Sequence, residues 1–251
     1  MRVARSRAGL GAGLGRREGM QETVIAGRPA RRPKLPRRPL GRETMQDRVY
    51  DALRALILNG EIEPGQTITI QSLADAFQVS AMPVREALRR LTAEQALTVV
   101  SGRSVGIPPL ARERLADLRR VRCEIEPMAV RWAASRLRAP TLQRLGVLVD
   151  DMQAAADRQD GRRYVPANHE FHFLIYRAAR SPTLLRIIES LWLQIGPYFH
   201  VLRASENWHA ANAAHRAMLA ALGRRDGEAA AAALCRDIEG AAATLHGLLR
   251  Q

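Results

Sequence analysis

Two histidines, an aspartate and an asparagine stand at spacings that let them meet. Asn168 and His172 are four residues apart, so on a helix they share one face, about one turn from each other. His215 and Asp237 flank Gly223-Arg224-Arg225-Asp226-Gly227, a run whose residue types mark a turn. Each lies about eleven residues from the middle of that turn, and at about 1.5 Å of rise per residue an antiparallel helical hairpin brings the two to the same height. With both faces turned inward, Asn168, His172, His215 and Asp237 converge. Two imidazoles, a carboxylate and an amide oxygen suit Zn²⁺, Ni²⁺ or a similar divalent ion. Taken singly, each histidine reads as a hydrogen-bonded core residue; it is the convergence that makes ligands of them. His169 sits just off the inward face and reads as surface, and His200, His209 and His246 have no partner that spacing identifies.

A second group is basic. Between Ile68 and Leu91 the apolar positions 70, 73, 74 and 77, then 84, 87, 88 and 91, have helical spacing, which predicts two short helices with one buried face each. Ser80 fits the N-cap of the second, and Pro83 fits its first turn, where a missing N–H has no helical partner. The opposite face carries Met82, Arg85, Arg89 and Arg90. A short helix with a basic outer face, held against another helix, is shaped to enter a DNA major groove. Leu97–Val100 and Val105–Ile107 alternate around Ser101-Gly102-Arg103-Ser104, which predicts a β-hairpin with Arg103 at its tip. A charged helix face standing alone would read as solvated surface; beside a hairpin it reads as a winged helix-turn-helix.

These pieces resemble the GntR family of bacterial transcription regulators. Leu73-Ala74, Val79-Ser80 with Pro83-Val84-Arg85-Glu86-Ala87-Leu88, and the Gly102–Gly106 wing stand in the family's order. Upstream, Val49–Leu58 followed by Asn59-Gly60-Glu61-Ile62-Glu63-Pro64-Gly65 is similar to its opening helix and turn. The family's usual Arg-Thr after the turn serine is Ala81-Met82 here, and the arginine often found before Leu-Ala is replaced by Gln71 or missing. The resemblance implies DNA contacts from Arg85, Arg89, Arg90 and Arg103, with Ser80 and Met82 at the helix start.

Residues beyond the wing resemble the FCD ligand-binding domain that accompanies many such DNA-binding domains. The similarity is carried by Val121-Arg122 with Glu126-Pro127, Asn168-His169-Glu170-Phe171-His172, Ala179-Arg180-Ser181-Pro182 and His215–Leu219. The inward metal set of many of these domains is Asp, His, His, His; the matching positions here are Asn168, His172, His215 and Asp237, so the carboxylate has moved from first place to last. The resemblance implies a bound organic acid, with Arg122 reading its carboxylate, since a guanidinium matches that geometry bidentately. The alternative for Arg122 is an i,i+4 pair with Glu126. Tyr198, Asn212 and Trp192 are further candidates for the cavity wall.

The fold class expected is mainly α: an N-terminal winged helix-turn-helix followed by an all-α antiparallel bundle of six or seven helices. Hydrophobic residues make up 47% and aromatics only 4% of the 251, which favours Ala/Leu-rich helices over a β-sandwich. Helices are expected over about 115–137 (with Pro127 as a kink or a start), 141–156, 165–179, 182–195, 198–204, 208–222 and 227–249. Three segments follow: 1–44, 45–108 as the DNA-binding domain, and 109–251 as the effector-binding and dimerisation domain. The first holds twelve Arg/Lys against three Glu. It reads as a disordered basic arm adding non-specific DNA affinity, or as an upstream start with Met45 or Met20 as the true one.

No apolar run approaches the ~18 residues of a membrane span, no secretory signal is evident, and Cys123 and Cys235 read as reduced packing residues of a cytoplasmic protein. The function expected is a homodimeric transcriptional regulator, a repressor, that binds a pseudo-palindromic double-stranded DNA operator and senses a small carboxylate, with a divalent metal in the helical domain. The alternatives are an architectural DNA-binding dimer without effector and a metal-dependent enzyme. No Gly-rich phosphate loop, Cys-x-x-Cys pair or Ser/His/Asp signature points to an enzyme.

Overall fold

The computed structural model describes residues 44–62, 64–102, 104–199, 202 and 207–249. The expectations for the basic tail up to residue 43, for Arg103 at the wing tip and for His200 lie outside these residues. The element order is α1 (Met45–Leu58), β1 (Thr67–Thr69), α2 (Ile70–Phe77), α3 (Ala81–Ala93), β2 (Thr98–Ser101), β3 (Ser104–Gly106), α4 (Arg112–Ala134), α5 (Ala139–Asp157), α6 (Gly161–Ala178), α7 (Pro182–Ile195), a 3₁₀ turn (Gly196–Tyr198), α8 (Asn207–Gly223) and α9 (Gly227–Leu248).

Helix α1 starts on a capping box: the Thr44 hydroxyl accepts from the Asp47 N–H, and the Asp47 carboxylate accepts from the Thr44 N–H, so two otherwise orphaned donors are satisfied. It packs along α3. The residues they bury, Val49, Leu53 and Ile57 on α1 and Val84, Leu88 and Leu91 on α3, follow the helical period expected of core-facing stripes.

The wing is wider than the sequence pattern predicts. Thr67–Thr69 is not the beginning of a helix but a third strand, paired antiparallel with β3 in the order β1-β3-β2. Thr69 ends that strand and then caps α2, accepting from the Ser72 N–H. A three-residue strand that runs straight into a helix leaves too short an alternation to show in sequence. Gly106 is required at the seam, because a Cβ there would stand 2.8 Å from the Gln66 carbonyl oxygen.

Beyond the wing six long helices form the bundle, with α4 against α9, α8 against α9, and α5 against α6 and α8. Pro127 neither starts nor breaks α4, which runs continuously through it. Proline has no N–H to give the carbonyl four residues back, so the Cys123 carbonyl is released, and the Cys235 thiol of α9 donates to it at 3.8 Å. Both cysteines are free thiols. Helix α6 begins at Gly161, with Asp160 as its cap, several residues earlier than the pattern suggests. The stretch expected as a helix over 198–204 starts instead as the 3₁₀ turn Gly196–Tyr198; most of the remainder lies outside the described residues.

The two halves touch through a few specific contacts. Leu58 of α1 packs where a Gly196 side chain would be, 3.4 Å from the position of its Cβ. Arg54 pairs with Glu189 at 3.5 Å. Arg114 donates to the Gln95 carbonyl at 2.9 Å and to the Gln194 side chain at 3.3 Å. The Tyr198 hydroxyl donates to the Pro108 carbonyl. Among the described residues no helix is long and apolar enough to cross a membrane.

Gly106→Ala should cost about 1–3 kcal/mol of stability, because the obstructing atom belongs to the backbone and cannot rotate away. Chemical denaturation of the variant against the parent measures it.

Candidate functional site

On the DNA-facing side, Arg85 and Arg89 are exposed on the outer face of α3. Arg89 reaches Glu86 at 3.2 Å in an open ion pair, a contact that solvent weakens. Met82 is 63% exposed at the helix start. Ser80 occupies the N-cap position with extended backbone, but its side chain makes no capping hydrogen bond, so its hydroxyl is not committed to the helix.

Arg90 is also exposed, but unlike Arg85 and Arg89 it contacts α1. Its guanidinium lies 3.6 Å above the Tyr50 ring, its Nε donates to Glu94 at 3.3 Å, and Asp47 is 3.9 Å away. Tyr50 in turn donates to Glu94 at 2.6 Å. Arg90 therefore fastens α3 to α1 by a cation–π contact. Its partner stands forty positions upstream, beyond the reach of local spacing. The wing adds a feature that charge-based reading passed over: Val99 and Val100 are exposed apolar residues on β2.

In the bundle, the hairpin arithmetic holds. His215 on α8 and Asp237 on α9 come within 3.5 Å (Nε2 to Oδ1), and His172 on α6 stands 3.4 Å from Asp237 Oδ2 and 3.2 Å from His215 Nε2. Both histidines are buried and Asp237 is 12% exposed. Asn168 lines the same cavity one turn before His172. The two imidazole nitrogens are 3.2 Å apart, and each faces a different oxygen of the Asp237 carboxylate, at 3.4 and 3.5 Å. Donors held tetrahedrally at 2.0–2.1 Å from a zinc ion lie about 3.3 Å apart, a spacing close to that of this His/His/Asp cluster. Burial acts to raise the Asp237 carboxyl, but the two imidazoles outweigh it and hold the group well below the ordinary carboxylate range. Burial dominates at His172 and makes it harder to protonate, although Asp237 opposes this.

A cavity of about 30 Å³ adjoins the cluster, walled by Arg122, Tyr164, Asn168, Trp192, Phe199 and Trp208 among others. That space takes an ion or a water molecule or two. The i,i+4 pair expected for Arg122 is formed. Arg122 lines the cavity and pairs with Glu126 through Nε at 2.5 Å and a terminal nitrogen at 3.4 Å, with Trp192 5.4 Å from its charge. The Trp192 indole N–H is buried and has no hydrogen-bond partner among the described residues.

Two expected wall residues are elsewhere. Asn212 donates from its amide to the Val149 carbonyl at 3.2 Å and to Gln153 at 3.0 Å, so it pins α8 to α5 and does not line the cavity. Tyr198 turns its hydroxyl to Pro108 and joins the two halves. Sequence reasoning passed over Tyr176, which connects Glu126 to His172. The signal was available, because Tyr176 continues the 168/172 face by one more turn.

His169 is not a surface residue. It stacks on Phe173 at 4.2 Å and meets Trp192 edge-on at 5.6 Å. His209, for which spacing offered no partner, faces Gln153 at 3.2 Å and Asp157 at 3.8 Å.

A winged helix-turn-helix with a basic outer helix, joined to a helical bundle with a small cavity beside a His/His/Asp cluster, is the architecture of a DNA-binding regulator. The model for "Bacterial regulatory proteins, gntR family" matches residues 45–107 and that for the "FCD domain" matches 117–240. The "HTH-type transcriptional regulator McbR" of Escherichia coli is 32% identical over 159 residues, covering 63% of this chain and 72% of that protein. A solved structure titled "E. coli McbR/YncC" superposes with a TM-score of 0.77 at 28% identity, covering 83% of this chain and all of that one. The "Probable D-xylose utilization operon transcriptional repressor" of Paenarthrobacter nicotinovorans is 27% identical over 79% of this chain and 88% of its own. The chain belongs to the gntR family of bacterial regulatory proteins and carries an FCD domain. Its relatives are transcriptional regulators, not enzymes.

Burial, followed by the charges of Arg177, His172 and Arg54, lowers the His169 pKa from 6.5 to about 4. A histidine held neutral in the fold takes up its proton first in the unfolded chain, so stability falls as pH drops from about 6.5 to 4 and loses nothing further from this group below that. His169→Gln should flatten that part of the profile, measured as Tm against pH relative to the parent.

Proposed function

We propose that the protein is a homodimeric repressor that binds a pseudo-palindromic operator and responds to a small organic acid received beside a divalent metal. The observation that carries this is the wall of the bundle cavity. It brings together a guanidinium, His172 and Asp237 with His215 beside them, and the Trp192 indole, whose N–H has no partner among the described residues. Arginine and the indole N–H suit a carboxylate, and the His/His/Asp cluster suits a divalent cation. A metal bound there supplies positive charge that draws a carboxylate to the cavity.

The protein's own residues do the rest. His172, His215 and Asp237 hold the ion, with Asn168 as the fourth donor. Arg122 orients the acid, and Trp192, Phe199 and Trp208 exclude water around it. The cavity is smaller than an organic acid, so admission requires its walls to move. Trp192 belongs to α7, whose continuation Gly196–Tyr198 bears on Leu58 and Pro108 of the DNA-binding half. Movement of that wall is thereby delivered to α1, and the response is as large as the acid's preference for the displaced arrangement. A relative named as a repressor supports release of DNA as the outcome.

In the DNA-bound form Arg85, Arg89 and Met82 face the major groove and Ser80 a phosphate. Dimerisation is supported by an apolar stripe on α4, where Val121 and Ile125 pack partly against the core and Met128 and Trp132 are exposed.

Two measurements test the reading. Arg85→Ala should weaken binding to an operator selected from a randomised duplex pool at least tenfold while leaving thermal stability unchanged, by fluorescence anisotropy and melting. Retained sequence-specific affinity defeats the assignment of α3. His172→Ala combined with His215→Ala should abolish zinc or nickel uptake by elemental analysis of protein dialysed against the metal; unchanged content defeats the metal centre.

A further inference from the structure

We propose that Tyr176 is the positioning residue of the cavity: its hydroxyl, engaged by Glu126, fixes the His172 proton on Nδ1 and leaves Nε2 as an electron-pair donor aimed at Asp237 and His215. This rests on the metal reading above and adds to it the groups that prepare the ligand.

The argument is one of donors and acceptors. Arg122 and Glu126 are an i,i+4 pair on α4; His172 and Tyr176 are an i,i+4 pair on α6; and α4 packs against α6. Arg122 donates twice to Glu126, which marks the latter as a carboxylate with oxygens that can only accept. The Tyr176 hydroxyl lies 2.5 Å from Glu126 Oε2, so its single proton points there. What remains on the tyrosine oxygen are lone pairs, and His172 Nδ1 stands 3.3 Å from them. That nitrogen must carry the hydrogen, since otherwise two lone pairs would face each other in a site closed to water. In the neutral ring Nε2 is then bare.

Bare Nε2 faces Asp237 Oδ2 at 3.4 Å and His215 Nε2 at 3.2 Å. A lone pair and a carboxylate oxygen at that separation are two acceptors without a proton between them, and the one hydrogen His215 can offer serves only one. A cation resolves the conflict. The orientation is therefore built for metal before any metal arrives, which is the role outer partners of ligating histidines commonly have. His215 lacks such a partner, since its Nδ1 is buried and unbonded, so the preparation falls on His172 alone.

The test uses the full-length, metal-stripped protein with ¹⁵N-labelled histidine. Two-bond ¹H–¹⁵N correlation spectra at pH 7.5 should show His172 as the Nδ1–H tautomer, and Tyr176→Phe should convert it to a mixture or to Nε2–H. Zn²⁺ affinity, by competition with a chromophoric chelator, should fall about 10- to 100-fold in that variant. An Nε2–H ring in the parent protein overturns the proposal without any variant, and so does an unchanged tautomer in a folded Tyr176→Phe. If the parent shows the Nδ1–H form but takes up no zinc, the positioning role stands and the metal reading fails.

Discussion

A carboxyl group with no solvent exposure stands in the middle of this bundle, held by a guanidinium and a phenol hydroxyl. Glu126 is fully buried, and Arg122 is nearly so. Two such ions leave water only when their geometry is close and their remaining hydrogen-bonding capacity is met. Arg122 and Tyr176 meet it, and this fixes the register of α4 against α6. That register sets the height of His172, which places the imidazole opposite the α8–α9 hairpin. The cavity's chemistry is downstream of the ion pair, since losing either charge would strand the other in a low-dielectric interior.

Much of this was legible because helices write their geometry into spacing. The recognition helix, the α8–α9 hairpin and the meeting of His172, His215 and Asp237 all follow from periods of three to four residues and one turn rich in glycine. What escaped depends on partners that no local period encodes. Nothing in the local spacing of Arg90 announces its contact with Tyr50, forty positions upstream. Asn212 and Tyr198 look like cavity residues until Val149, Gln153 and Pro108 claim their polar atoms. Thr67–Thr69 looks like the approach to a helix because its strand partner lies nearly forty residues on. Pro127 looks like a kink or a helix start, yet a thiol 108 positions later takes the place of the missing N–H by donating to the freed carbonyl.

The departures from the usual ligand pattern have a physical reading. Moving the carboxylate from the Asn168 position to Asp237 keeps one negative charge in the set but shifts it from α6 to α9. The charge then lies between two imidazoles, where both stabilise it. It also remains 12% exposed, so the single ionised donor is the member of the cluster nearest to water. The neutral donors are enclosed.

The clamp of Arg90 on Tyr50 bears on what a signal from the bundle can alter. With α3 fastened to α1 by a cation–π contact and two carboxylates, the reading surface and its supporting helix travel as one block. A push on Leu58 then cannot reshape the side chains presented to bases. It can only tilt or translate the whole block, leaving the arrangement of side chains on its outer face as it was.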